Sequence, residues 1–229
     1  MADLLLGPRG LPSISTVRMV LERALLEQEN TQYKVFFDEG NLRKFTAFVF
    51  GPDDSLYRHK LLKLRIEIPA NYPSEPPEVT FTQHSSGYVH PSIGIDGLVH
   101  LSVPNTWPVR PLPWNAEVEL HIMLLLIRGT LDNEPYRYKP NCPPSNNRDY
   151  NRLVQYTTWR TLLLDNLKHE TSEPIRRFLK AFIRKRSMGI LKDVFAEWGA
   201  NADIPLFCSP DFSCIMTPEY ETLGSEASI

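Results

Sequence analysis

The side chains best suited to covalent or proton-transfer chemistry are three cysteines, Cys142, Cys208 and Cys214, and six histidines. A thiolate is nucleophilic near neutral pH and leaves an acyl carbon readily. An imidazole titrates near pH 6.5 and suits proton transfer. Cys142 lies in a proline-rich stretch, where it reads as a displaced nucleophile or as an ordinary solvent-facing thiol. Cys208 and Cys214 stand in a segment without periodicity, and no second pair completes a metal site. His84, His90 and His100 match no usual zinc spacing, so neither a metal nor a cofactor is expected. A sparse, odd cysteine set reads as a reducing compartment, cytosol or nucleus. Arg184-Lys185-Arg186, near Arg176 and Arg177, has three readings: a nuclear signal, a patch for an acidic partner, or the solvated helix face that such runs usually form.

These groups need elements to position them. A chain of 229 residues suits one domain of about 150 residues with an extension. Hydrophobic residues make up 42%, enough for a core, and charged residues 23%. The net charge of -2 creates no global basic field, so neither nucleic acid nor membrane is expected as a partner. No apolar run reaches the roughly 18 residues of a membrane span, and residues 1–6 are too short an apolar start for a signal peptide. Prolines cluster at 69–77, 104–113 and 135–144, which predicts ordered but irregular loops.

Residues 13–29 place Val17, Val20, Leu21, Ala24 and Leu25 at helical spacing behind a Ser13 or Ser15 N-cap. Short β-branched or aromatic runs follow at 33–38, 42–50, 62–69 and 78–82, and residues 62–68 alternate apolar and charged like a strand with one wet face. After a long loop, a helix is expected over 115–128. Asn115 would cap it, Glu117 and Glu119 would occupy its first turn, and Gly129 would stand just past its end. Residues 121–127 are apolar nearly all round, so this helix should be buried. Two further helices are expected at 147–168 and 174–198. The second should dock through Ile175, Phe178, Phe182, Leu191 and Trp198, leaving Arg176, Arg177, Lys185 and Arg186 in water. At least one of Trp107 and Trp114 should be largely buried and fix the path of the proline-rich loop. The expected fold class is α+β, a four-stranded antiparallel meander with helices on one side. The domain would span 13–170, with a helical extension at 171–199 packed on it and a weakly structured tail at 200–229.

Gly51-Pro52 with Tyr57, Ile68-Pro69 with Tyr72-Pro73 and Pro76-Pro77, Val79 with Phe81, His90-Pro91, and Gly97 with Val99 form an ordered set. Together they resemble the signature run of the ubiquitin-conjugating enzymes over roughly residues 40 to 170. A second set comprises Asn105-Thr106-Trp107, Pro113-Trp114, Asn133-Glu134-Pro135-Tyr136 and Asp149-Tyr150-Asn151. It resembles the conjugating domain of the large hybrid enzyme/ligase proteins of the Apollon (BRUCE) type, with Tyr138 and Lys139 replacing the last two residues of the motif after the central helix.

The resemblance implies the UBC fold and ubiquitin transfer through a cysteine thioester. The family's cysteine segment reads Gly97-Leu98-Val99-His100-Leu101 here, so His100 occupies the cysteine position. The family's His-Pro-Asn reads His90-Pro91-Ser92, so Ser92 replaces the asparagine that supports the oxyanion. An acyl-imidazole hydrolyses readily and would not carry ubiquitin. The expectation is therefore a catalytically inactive variant. It would act as a binding or regulatory module that meets ubiquitin or a ubiquitin-like protein, an active conjugating enzyme or a ubiquitin ligase. The alternatives are an active enzyme using another cysteine, such as Cys142, and a structural scaffold with no link to ubiquitin.

Overall fold

Four strands run in chain order as an antiparallel meander: β1 (Tyr33–Asp38), β2 (Asn41–Phe50), β3 (Leu61–Glu67) and β4 (Glu78–Phe81). The computed structural model describes residues 13–82, 84, 88–93, 97–99, 114–138, 147–201, 206–207 and 215–216. Among the described residues five helices accompany the sheet: α1 (Ile14–Leu26), α2 (Leu120–Gly129), α3 (Asn147–Trp159), α4 (Asp165–Lys168) and α5 (Glu173–Asn201). A π-helical turn, Arg160–Leu164, joins α3 to α4, and a 3-10 turn, Pro135–Tyr138, follows α2. Leu206–Phe207 and Ile215–Met216 pair as a two-stranded ribbon within the segment read from sequence as a tail. Among the described residues no helix is long and apolar enough to cross a membrane.

Side chains alternate across a strand, so register assigns each residue to a face. Phe45, Ala47 and Val49 of β2 pair with Ile66, Leu64 and Leu62 of β3, and all six belong to the main core. Met19 and Leu26 of α1, with Leu120, Met123, Leu124 and Ile127 of α2, complete that cluster. On the opposite face Phe48 and Leu61 pack with Trp159, Leu163, Leu164, Ile175, Leu179, Phe182, Ile190 and Val194. Phe178 lies 5.4 Å from Phe48 and 5.5 Å from Phe36, centroid to centroid. Helices therefore cover both faces of the sheet, not one. This explains why residues 45–50 of β2 are apolar except for Thr46, as strands buried on both sides are. The charged positions of β3 lie on this second face but are paired: Lys63 with Glu170 at 2.7 Å and Arg65 with Asp38 at 2.5 Å.

The helices depart from expectation in three ways. Ser13 caps α1 through the Thr16 N–H at 3.1 Å, as one of the two expected serines. The expected apolar stripe of α1 nevertheless faces solvent, with Val17, Val20 and Leu21 about half exposed. The buried face is Ser15, Met19, Glu22 and Leu26. Helix α2 starts at Leu120, not 115, because Asn115 closes a separate turn by accepting the Glu117 N–H. Only one face of α2 is buried, since Ile122 and Leu126 are exposed and Leu125 is half-buried; Gly129 is its last residue. Helix α5 docks through Ile175, Leu179, Phe182, Ile190 and Val194. Leu191 is only half-buried, and Arg186 is only partly in water, its guanidinium carbon lying 4.1 Å over the Phe182 ring. The Trp198 side chain lies outside the described residues.

Candidate functional site

The segment holding His90, Pro91, Ser92 and Gly97 is anchored from several sides. Tyr57 is fully buried and donates its hydroxyl to the Val89 carbonyl at 2.8 Å, and Thr157 donates to the Tyr88 carbonyl at 2.7 Å. Gly51 is required beside Tyr57, because a Cβ there would overlap the Tyr57 carbonyl. Thus the Gly51-Pro52 turn, Tyr57 and the His90 segment form one assembly. Asn133 extends it by donating to the Asp54 carbonyl at 2.7 Å, and the Asn151 side chain accepts the Tyr136 N–H at 3.1 Å.

His90 is buried, with its ring 4.9 Å from that of Tyr138 and 6.3 Å from that of Tyr57. Its Nδ1 accepts the Ser92 N–H at 3.1 Å, which leaves the proton on Nε2 to donate to the Thr130 carbonyl at 3.1 Å. Burial pushes its pKa down to about 4, and the Thr130 carbonyl and the Asp132 charge oppose this only in part. The ring is therefore neutral at physiological pH and ties the turn to the end of α2. Ser92 is buried in the same turn, which the Ile93 N–H closes onto the His90 carbonyl at 3.0 Å.

Residues 97–99 run beside β4. The Phe81 N–H donates to the Gly97 carbonyl at 2.7 Å, the Val99 N–H to the Val79 carbonyl at 3.0 Å, and Ile93 bridges antiparallel to Val99. Gly97 has φ +80°, and a Cβ would run into the Phe81 carbonyl, so this position requires glycine. The structure thereby brings His90, Pro91, Ser92 and Gly97 to one edge of the sheet. His100 follows Val99 and lies outside the described residues, as do Cys142, Cys208, Cys214 and Trp107. His84 is not grouped with His90; its ring stacks on His169 at 4.4 Å.

The proline-rich loop 69–77 is held from the far side. The peptide between Tyr72 and Pro73 is cis. Trp114 is only half-buried, but it packs on the main core and its indole N–H donates to the Pro73 carbonyl at 2.5 Å. Two supporting residues escaped sequence reasoning. Glu22 accepts hydrogen bonds from Arg18 Nε at 2.8 Å, the Tyr72 hydroxyl at 2.8 Å and the Leu120 N–H at 2.9 Å. It thus serves as a long-range cap for α2, whose own N-cap Glu119 makes no side-chain capping bond. Lys60 is fully buried. Its Nζ donates to the Leu56 and Gln155 carbonyls and the Thr158 hydroxyl at 2.7–2.9 Å, 4.2 Å above the Trp159 ring. No periodicity marks a single buried charge; the available signal was a lone Lys between turn residues and a strand.

Residues 18–154 match the family model described as ubiquitin-conjugating enzyme. A viral ubiquitin-conjugating enzyme E2, from African swine fever virus, is 36% identical over 120 residues, covering 52% of this chain and 53% of the viral one. A probable ubiquitin-conjugating enzyme of Caenorhabditis elegans is 29% identical over 183 residues, covering 75% of this chain and 25% of its own length. The human dual E2 ubiquitin-conjugating enzyme/E3 ubiquitin-protein ligase BIRC6 is 28% identical over 145 residues, 58% of this chain and 3% of that protein. The chain thus spans about half the length of the viral relative and far less of the other two. With the meander, the glycine-dependent turns and the matched region in agreement, the chain belongs to the ubiquitin-conjugating enzyme family.

Proposed function

We propose that this chain is a non-catalytic member of its family, a binding or regulatory module in ubiquitin or ubiquitin-like conjugation. The observation that carries the reading is His100, which stands where the family's Gly-x-Val segment delivers its cysteine. Backbone bonds hold Gly97 and Val99 against β4, so the segment leading into that position keeps an ordered path. An imidazole there can be acylated only transiently, whereas the carrier role needs a thiolate. His90, held neutral by burial, offers no compensating acid or base near pH 7. Ser92 replaces the asparagine of the transfer step. The module would engage ubiquitin or a ubiquitin-like protein, an active conjugating enzyme or a ubiquitin ligase, in the cytosol or nucleus.

The test is a charging reaction with activating enzyme, ATP and ubiquitin, read on a non-reducing gel. The proposal expects no reducible adduct. A dithiothreitol-sensitive band lost in Cys142→Ala would instead establish an enzyme using that cysteine.

A further inference from the structure

The matched family region ends at residue 154, so α5 lies beyond it. Between Glu173 and Glu197 this helix carries seven basic and three acidic side chains, an excess of four positive charges. The whole chain is -2, so the remainder has a net charge of -6. Two of the three acids are engaged inward: Asp193 pairs with Arg58 at 2.6 Å, and Glu197 accepts the Trp159 indole N–H at 2.8 Å. Glu173 lies 3.8 Å from Arg177, and both are about 70% exposed. Among the described residues no carboxylate lies within ion-pair distance of Arg176, Lys180, Arg184, Lys185 or Lys192, all of which are exposed. Three of the five basic residues on the sheet, Lys44, Lys63 and Arg65, have an acidic partner, and Arg43 donates to the Pro69 carbonyl and the Ser15 hydroxyl.

Helical spacing places Arg177, Arg184 and Met188 on one outward line, opposite the buried Ile175, Leu179, Phe182, Ile190 and Val194. Met188 is 79% exposed in the middle of this basic surface. Like charges three and four residues apart oppose helix formation, so here the buried face holds the helix together against its outer one. A solvated face needs neither the concentration of unpaired cations nor a flexible apolar side chain at its centre. Such a combination matches a short acidic segment that has an apolar residue among its carboxylates.

We propose that the outward face of α5 docks an acidic segment of a partner protein, with Arg177, Lys180, Arg184 and Lys192 meeting its carboxylates and Met188 its apolar residue. A single helix fits a single segment. Nucleic acid or an anionic bilayer, extending beyond the helix, would meet the negative remainder of the chain. The inference stands independently of whether His100 excludes catalysis.

The full chain is titrated against a fluorescein-labelled peptide of alternating glutamate and leucine, followed by anisotropy. Saturable binding is expected, weakening as salt rises from about 50 to about 200 mM, because these charges are exposed and screened. The triple variant Arg177→Glu, Arg184→Glu, Lys192→Glu should weaken binding by about tenfold or more. A milder pair, Arg177→Gln with Arg184→Gln, should weaken it in the same direction with an unchanged melting curve, and Met188→Ala should weaken it without altering the salt dependence. Failure of the acidic peptide to bind, or equal binding by wild type and both charge variants, overturns the proposal. Tighter, Arg184-dependent binding of short single-stranded DNA or phosphatidylserine vesicles overturns it too, by assigning the face to a different partner.

Discussion

Replacing Glu22 by alanine removes an acceptor shared by three parts of the fold. Its carboxylate is 1% exposed and binds Arg18 of its own helix, Tyr72 of the proline-rich loop and the first amide of α2. The Arg18 side chain is 26% exposed and can rehydrate. The Tyr72 hydroxyl and the Leu120 N–H cannot, since both residues are at most 1% exposed. Each buried donor left unpaired costs about 1–3 kcal/mol, and the loss of the central anion adds to this, so the change should cost about 3–5 kcal/mol. In a chain of this length that corresponds to a Tm lowered by roughly 10 °C. Glu22→Gln keeps one acceptor oxygen and should cost about 1–2 kcal/mol. Urea unfolding of the three proteins measures both differences. A Glu22→Ala loss below about 1 kcal/mol would show that the carboxylate is not the tie between α1, the loop and α2.

Burial lowers the Lys60 pKa from 10.5 to about 8, with Glu197 and Asp193 opposing the shift. A base depressed in the fold costs stability below its folded pKa and ceases to cost it above its unfolded one. Wild type should therefore gain up to about 3 kcal/mol relative to Lys60→Met between pH 8 and 10.5, measured by urea unfolding across that range; a constant difference would contradict the shift. Truncation after residue 170 should uncover Phe48 and Leu61 and lower Tm or solubility; a monodisperse truncation melting like wild type would make α5 an appendage. On α1, Met19→Ala should cost about 2–4 kcal/mol while Leu21→Glu costs under about 0.5, the reverse of what the apolar stripe suggests; thermal melts that rank them the other way would refute the helix orientation.

The meander was legible because strand runs, Gly51-Pro52 and the Tyr-Pro-x-x-Pro-Pro stretch are local signals. His90, Ser92 and Gly97 were picked out only through the family resemblance, in a stretch whose own residues read as one long loop. What escaped depends on partners distant in sequence. The buried side of α1 contains Ser15 and Glu22, whose polarity is satisfied by Arg43 and by Tyr72 with Leu120, so hydrophobic spacing pointed to the wrong face. The first turn of α2 is capped from α1, so the local Asn115 signal misplaced its start. Phe48 reads like any strand residue until α5, more than a hundred residues later, covers it. Lys60 is a charge whose burial is repaid by carbonyls of the preceding turn and of α3, a pattern without period.

The central claim is that the chain carries no transferable ubiquitin. The direct measurement is the charging reaction on wild type and His100→Cys side by side, resolved with and without dithiothreitol. Wild type should form no reducible adduct. His100→Cys should form a weak one if the 97–99 segment retains the delivery path, with Ser92 slowing onward transfer to lysine by an amount on the order of 3 kcal/mol in barrier. Absence of charging in the variant would shift weight to a scaffold without any link to ubiquitin. A dithiothreitol-sensitive ubiquitin adduct on the wild-type chain would contradict the account.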